Sequence, residues 1–433
     1  MTASSDFKPR SAWTMTILLT GLALINFLDK VVIGVVAVPM TKDLGLSHAQ
    51  FGLVAGSFFW LFSLSTILVG LIANRVPTRW TLLAMGIAWA VLQIPQALTA
   101  SVFALLMCRV LLGAAEGPFM PTTVHALYKW FPDKKRSLPV AIVSQGAGLG
   151  LLMAGLLIPL VTARYGWRTN FFLLGAVGVV WSVLWLCFGR EGNLDVKPAA
   201  VLTQSAAPAP RRTLCKTFAD PSVLCVLMLG FSAYWSLSLL FTWLPTYLEK
   251  GLGYANVEAG RLFALVIIAA TPINLGLSWL SQTLLERGVG TRTARVKLIS
   301  IAFLVSGVIY VLPLLIDLTH MQKVLLMAVG AGLPTVAFAI APALLAEVVP
   351  DRQRGATLAF YTAIGSLGGA ISPAVMGGIV QKGSSMTAAC ELGFATCSIL
   401  VVLAALLALR WLNPDRSKQA LAASAIPTQS SAA

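Results

Sequence analysis

Charge is the scarcest commodity in this sequence. Of 433 residues, 11% are Asp, Glu, Lys or Arg, while 58% are hydrophobic. A soluble domain carries about 25% charge, so the shortage excludes an ordinary water-soluble globule. Metal and disulfide patterns are missing too. The six cysteines (Cys108, Cys187, Cys215, Cys225, Cys390 and Cys397) are scattered, mostly in apolar segments, with no C-x-x-C pair. They read as small buried thiols, not as ligands or bridges. The sequence holds no H-E-x-x-H, no G-x-S-x-G and no His/Asp cluster, which argues against an enzyme and implies no metal and no cofactor. Alternating segments of about ten residues are absent, which excludes a membrane β-barrel.

Long apolar runs, in contrast, are abundant. Runs of 18 or more residues recur between short basic loops, the pattern of a polytopic helical membrane protein. Twelve spans are expected, at about 13–39, 49–73, 80–99, 101–131, 136–163, 168–190, 220–248, 256–285, 295–316, 321–348, 355–381 and 385–411. The first run is long and lacks a small-residue cleavage site, so it reads as a retained helix and not as a signal peptide. The net charge of +15 sits in the loops and not on a nucleic-acid-binding face. With both termini in the cytoplasm, 22 of the 31 Lys and Arg fall on the cytoplasmic side, 7 outside and 2 within spans. The positive-inside bias therefore places both termini in the cytoplasm, and a multi-pass protein of the cell (inner) membrane is expected. A monomer in a lipid bilayer is expected.

The chain divides in two. Residues 191–219, with "AAVLTQSAAPAPRR", are rich in Ala, Pro and Ser and read as a cytoplasmic linker. It separates an N-terminal six-helix half (1–190) from a C-terminal one (220–412). The tail (413–433) is expected to be disordered. "FPDKKRSLPVA" (131–141) and "VPDRQRGATLA" (349–359) match at a constant offset: Pro132, Asp133 and Arg136 correspond to Pro350, Asp351 and Arg354. Each precedes the fifth span of its half, and each leads into a Gly-rich helix start. Paired halves with a site between them describe an alternating-access transporter.

Four charges lie inside spans: Asp29, Lys30, Arg109 and Glu116. Each costs about 2.5–3.5 kcal/mol at mid-membrane on insertion scales, so such residues need a reason. Arg109 and Glu116 are seven apart and share a helix face. Asp29 and Lys30 are adjacent, so their side chains diverge by about 100°. Either the four form a static ion-pair staple, or they line a substrate and proton path. Lys30 and Arg109 suit a substrate carboxylate, and Asp29 and Glu116 suit a proton.

The residues resemble the major facilitator superfamily. "GLIANRVPTR" (70–79) is similar to the superfamily's G-x-x-x-D-R-x-G-R pattern at Gly70, Arg75 and Arg79, with Asn74 in place of Asp. In the second half, Gln282 stands at the acidic position. The resemblance implies a cytoplasmic gating loop at Gly70, Arg75 and Arg79. More narrowly, "NFLDKVVIGVVAVPM" (26–40), "GSFFWLFSL" (56–64), "RVLLGAAEGPFMPTT" (109–123) and "TWLPTYL" (242–248) resemble the anion:cation symporter branch. That implies proton-coupled symport of an organic anion, with proton and substrate residues at the four charged positions. Phe27, Lys30, Phe62 and Ser366 depart from the branch's usual Tyr, Arg, Tyr and Asn. Asn26, Gln145, Tyr361 and Ser366 are further substrate-binding candidates, and Tyr234 and Trp235 are cavity-lining ones. His125 is a possible relay; His48 and His320 are expected to be inert. The many phenylalanines near the charges point to a less polar or aromatic carboxylate. The rival readings are a proton antiporter exporting a drug or metabolite, and a non-transporting ligand sensor of the same fold.

Overall fold

The computed structural model describes residues 8–72, 75–132, 135–192, 194 and 217–425; for 351–352 and 421–425 the description is of the backbone only. Most of the linker and the positions Asn74 and Asp133 lie outside these residues.

Among the described residues, twelve helices are long and apolar enough to cross a membrane. They are α1 (Pro9–Val35), α2 (His48–Ile72), α3 (Thr78–Leu98), α4 (Val102–Tyr128), α5 (Ser137–Tyr165), α6 (Trp167–Phe188), α7 (Pro221–Thr242), α8 (Asn256–Glu286), α9 (Arg292–Leu315), α10 (His320–Val348), α11 (Gln353–Lys382) and α12 (Met386–Trp411). Each matches one expected span to within several residues. With backbone groups satisfied inside each helix, this is the one open-ended architecture that lipid tolerates. Local sequence sets the ends. Ser47 and Gln50 form a reciprocal cap that starts α2, and Thr319 and Gln322 do the same for α10. Asp220 caps α7 ahead of Pro221. Gly166, at φ +84°, is the whole link between α5 and α6, a backbone conformation open to glycine.

Three spans are interrupted near mid-membrane, where unbroken helices are expected from the apolar runs. The helix of α4 stops at Glu116 and resumes at Phe119. Pro118 lacks an N–H and crowds the preceding turn, so the hydrogen-bond ladder breaks there. In α2 the helix pauses between Ser57 and Phe62. The break lies against α4: a Cβ at Gly113 would come within 1.7 Å of the Phe58 carbonyl, and one at Gly117 within 2.1 Å of the Phe62 carbonyl. In α10 a 3₁₀ turn spans Leu333–Val336, where Pro334 removes another donor. The tail also differs from expectation. Pro414–Ala425 is helical (α13), because Asn413 caps the Arg416 N–H, alanines follow, and Ser417 hydrogen-bonds Ser222 at 2.7 Å. Residues 426–433 lie outside the described residues.

The halves meet chiefly along two helix pairs, α2 with α11 and α5 with α8, and also where Gly34 of α1 packs on the Phe241 carbonyl of α7. The tight approaches all lie in the part of the bundle remote from the termini. A Cβ on Gly52 would sit 2.2 Å from the Pro373 carbonyl, and one on Gly260 would sit 2.3 Å from that of Gly155. Trp243, fully buried after the end of α7, packs edge-on against Phe51 at 5.2 Å and donates to the Pro373 carbonyl at 3.1 Å. Small residues that let backbones touch are the usual cement between membrane helices. Among the described residues, the inter-half hydrogen bonds nearest the terminal side are those of Ser63 with Ser366 and with the Thr362 carbonyl.

Candidate functional site

The four charges expected from sequence converge at the break in α4. On one side Asn26 is the hub. Its amide nitrogen donates to Glu116 Oε2 at 2.7 Å, and its carbonyl oxygen accepts from Lys30 Nζ at 2.5 Å. Lys30 Nζ lies 3.5 Å from Glu116 Oε2; the Lys30 side chain is 14% exposed and that of Glu116 is closed to solvent. Two rings flank the ammonium, Phe27 at 4.4 Å and Phe62 at 5.5 Å, positions where a desolvated cation–π contact contributes about 2 kcal/mol. On the other side Arg109 donates to the Asp29 backbone carbonyl at 3.3 Å, and its guanidinium lies 5.0 Å from the Phe58 ring. Asp29 and Lys30 thus diverge around α1, as adjacency requires. Among the described residues, Asp29 has no ion-pair partner within 4.0 Å.

The network is incomplete. Asp29 Oδ1, Arg109 Nε and Glu116 Oε1 are buried without a hydrogen-bond partner. Each such atom costs about 1–3 kcal/mol. Three such atoms lie together beside the four charges, which makes this cluster the candidate site.

The sequence reading missed three features. Gln93 of α3 lies beside Asp29, its amide nitrogen unpartnered; the pair Gln93 and Gln96 in an otherwise apolar helix is the signal that was available. Glu391 of α12 is a further buried charge, accepting from Tyr247 Oη at 2.8 Å and from Lys323 Nζ at 2.7 Å. The count of four intramembrane charges is therefore corrected: Lys323 and Glu391 sit just inside their spans, where the hydropathy of the run masks them. On the terminal side, Glu191 accepts from Lys129 Nζ at 2.5 Å, the Arg79 N–H at 2.8 Å and the Thr78 hydroxyl at 3.0 Å. Burial pushes the Glu191 carboxyl up, but these donors outweigh it and hold it below the usual range. Glu191 thereby ties the start of α3 to the ends of α4 and α6.

The other candidates are dispersed. Gln145 is exposed in the first third of α5. Ser366 is buried, 2.7 Å from Ser63 across the halves. Tyr361 is buried against Gly230 and donates to the Ala337 carbonyl at 3.3 Å, so packing accounts for it. Of the expected gating-loop residues, only Arg75 lies in the loop between α2 and α3; Gly70 is in the last turn of α2 and Arg79 at the start of α3, where it also donates to the Leu186 carbonyl at 3.2 Å, and Gly70 and Arg75 are exposed. His125 sits toward Lys129 and Glu191, away from the four charges. His48 faces Trp243 at 6.4 Å and His320 faces Tyr254 at 6.1 Å. A void in the C-terminal half, lined by Ser236, Tyr310, Met327 and Phe394 among others, holds none of these charges. Among the described residues no His, Cys, Asp and Glu cluster could hold a metal ion.

Comparison with known proteins supplies a frame. The sequence model described as the Major Facilitator Superfamily matches residues 19–336 and 288–432. The ascorbate transporter of Arabidopsis thaliana chloroplasts is 29% identical over 385 residues, covering 86% of this chain and 70% of that one. The hexuronate transporter of Bacillus subtilis is 26% identical over 406 residues, covering 92% and 93%. The crystal structure of a bacterial homolog to the human lysosomal transporter Spinster superposes with a TM-score of 0.76 at 19% identity, covering 96% of this chain and 99% of that one. That last likeness is one of fold.

Proposed function

The chain belongs to the Major Facilitator Superfamily, and on that premise we propose that it is a proton-coupled symporter, importing an organic anion, a small carboxylate, by alternating access between its halves. It is a transporter and not an enzyme. Its relatives are anion carriers, consistent with the anion:cation symporter branch, which supports an organic anion as cargo.

One observation carries the coupling: two buried carboxylates and two cations share one incomplete network, with Glu116 held by the accessible cation. Asp29, Lys30, Arg109 and Glu116 sum to zero. A carboxylate entering from solvent meets Lys30 and competes with Glu116 Oε2 for it. The cluster then carries one excess negative charge in a poorly polarisable setting, which is costly. A single proton on Glu116, whose Oε1 is free, restores neutrality. Anion and proton therefore favour each other's binding, which is what coupling means thermodynamically. Asn26 follows Glu116 and Lys30 as both rearrange, while Arg109 and Asp29 hold the balancing charges. Gln145, exposed on α5, completes the proposed substrate contacts, while Ser366 is taken up by Ser63 and the Ala363 carbonyl. With both termini in the cytoplasm, as the basic loops argue, the sealed part of the bundle is the outer one and the site opens inward; Gly70, Arg75, Arg79 and Glu191 then belong to the cytoplasmic gate.

Reconstituted protein should accumulate a carboxylate in vesicles bearing a proton gradient. An uncoupler should stop it and sodium removal should not. Sodium-dependent uptake insensitive to the uncoupler would overturn the reading.

A further inference from the structure

The rings beside Lys30 continue across the molecule. From its ammonium the path runs to Phe62, to Phe59 at 5.8 Å, to Tyr234 of α7 at 6.3 Å and to Phe338 of α10 at 5.0 Å. The Phe59–Tyr234 step crosses from one half to the other, with the rings at 89°. Glycine at 369 makes room for Phe59, since a Cβ there would lie 3.1 Å from its ring. Phe27, Phe59, Phe62, Tyr234 and Phe338 are all only half-buried. Phe59 and Tyr234 meet between the halves, so the ribbon lies where an alternating-access path would run.

Polar groups around that ribbon are mostly engaged with the protein. Asn26 is held at both ends by Glu116 and Lys30. Ser366 bonds Ser63 and the Ala363 carbonyl. Ser65 and Thr66 both bond the Phe62 carbonyl, and Thr362 bonds the Leu358 carbonyl. Of the two mid-span cations, Lys30 alone is partly accessible; Arg109 is 1% exposed.

Resting on the symporter reading above, we infer that the cargo is a monocarboxylate carried on a planar apolar ring, an aryl or arylalkyl acid, and not a polyhydroxylated sugar acid. One accessible ammonium matches one carboxylate. The ring ribbon matches an aromatic body, each edge or face contact strengthening binding about 2- to 10-fold. A sugar acid would bring several hydroxyls to groups already bonded elsewhere, and each hydroxyl left unpaired weakens binding about 5- to 100-fold. Phe59 and Phe62 select the ring, while Lys30 anchors the charge.

The test is binding to the purified full-length transporter, read by thermal shift and by competition, with benzoate and phenylacetate against gluconate and glucuronate. Aryl acids should raise the melting temperature and bind at least tenfold tighter than the sugar acids. Phe59→Leu and Phe62→Leu should each weaken the aryl acids about 5- to 10-fold, with melting temperature in the absence of ligand reporting that the variants fold. If gluconate or glucuronate binds as tightly as the aryl acids, this inference fails and the organic-anion reading stands. If aryl acids bind but both leucine variants bind them as wild type does, the ribbon is not the recognition surface and the inference likewise fails. If no carboxylate binds to folded protein, the symporter reading itself falls.

Discussion

Glu116→Gln keeps the shape of the protonated side chain and removes its capacity to titrate. In the structure, Glu116 Oε2 lies 3.5 Å from Lys30 Nζ. At an effective dielectric of about 20 that attraction is about 4–5 kcal/mol before desolvation is subtracted. The amide releases Lys30 from it, so anion binding should be undiminished, while the amide oxygen still accepts from Asn26. What should vanish is uphill movement. A neutral four-charge cluster that admits one monoanion needs one proton, and one pH unit across the membrane is worth about 1.4 kcal/mol per proton. Wild-type vesicles with a gradient of one pH unit should therefore concentrate the acid about tenfold, with little response to membrane potential because the complex is neutral. Glu116→Gln should reach a ratio near one while retaining counterflow, since exchange moves no net proton. Paired counterflow and gradient-driven assays in proteoliposomes decide it. Full accumulation by the variant, with wild-type pH dependence, would remove Glu116 from the proton path; accumulation nearer a hundredfold in wild type would mean that Asp29 carries a second proton.

Lys30→Ala should abolish binding, whereas Lys30→Arg should retain part of it; equilibrium binding of the acid to both variants checks this. Arg109→Ala should also weaken binding and lower stability by about 1–3 kcal/mol, because it takes away the donor to the buried Asp29 carbonyl and the cation nearest the Asp29 side chain; denaturation of the purified variant measures it. Gly52→Val places a side chain where a Cβ alone would lie 2.2 Å from the Pro373 carbonyl, so the sealed end should be forced apart; spin labels at Lys42 and Ser384 should report a longer distance than in the parent, and an unchanged distance would refute the seam. Glu191 has a folded-state pKa below its unfolded one, so its stabilising contribution is complete above about pH 4.3 and is lost as the pH falls through the folded value; the melting temperature of wild type should drop more steeply below that pH than that of Glu191→Gln.

The twelve spans were legible because lipid imposes a length and a hydropathy on any helix that crosses it, and both are written along the chain. The charged candidates were legible for the same reason: Asp29, Lys30, Arg109 and Glu116 stand out because the medium penalises them. Lys323 and Glu391 escaped notice because they lie near span ends, where position along a run does not distinguish a buried charge from a solvated one. Gln93 escaped because an uncharged amide in a helix disturbs hydropathy little. The breaks in α4 and α10 had a local signal in Pro118 and Pro334; the pause in α2 had none, since it answers to the glycines of α4 packed against it.

Composition and periodicity thus determined by themselves that this chain crosses a membrane twelve times, in two related halves, with charge buried near the middle. Tertiary structure decided which charges meet. Asn26 joining Lys30 to Glu116, Arg109 turning to the Asp29 backbone, and Phe59 reaching Tyr234 are contacts between residues far apart in sequence, and their distances depend on how helices are rotated and tilted against one another. Hydropathy is a property of each residue in its solvent and can be read one position at a time. Rotation and tilt follow from small-residue seams such as Gly52 on Pro373 and Gly155 on Gly260, where complementarity between two distant surfaces, and not the character of either alone, sets the geometry.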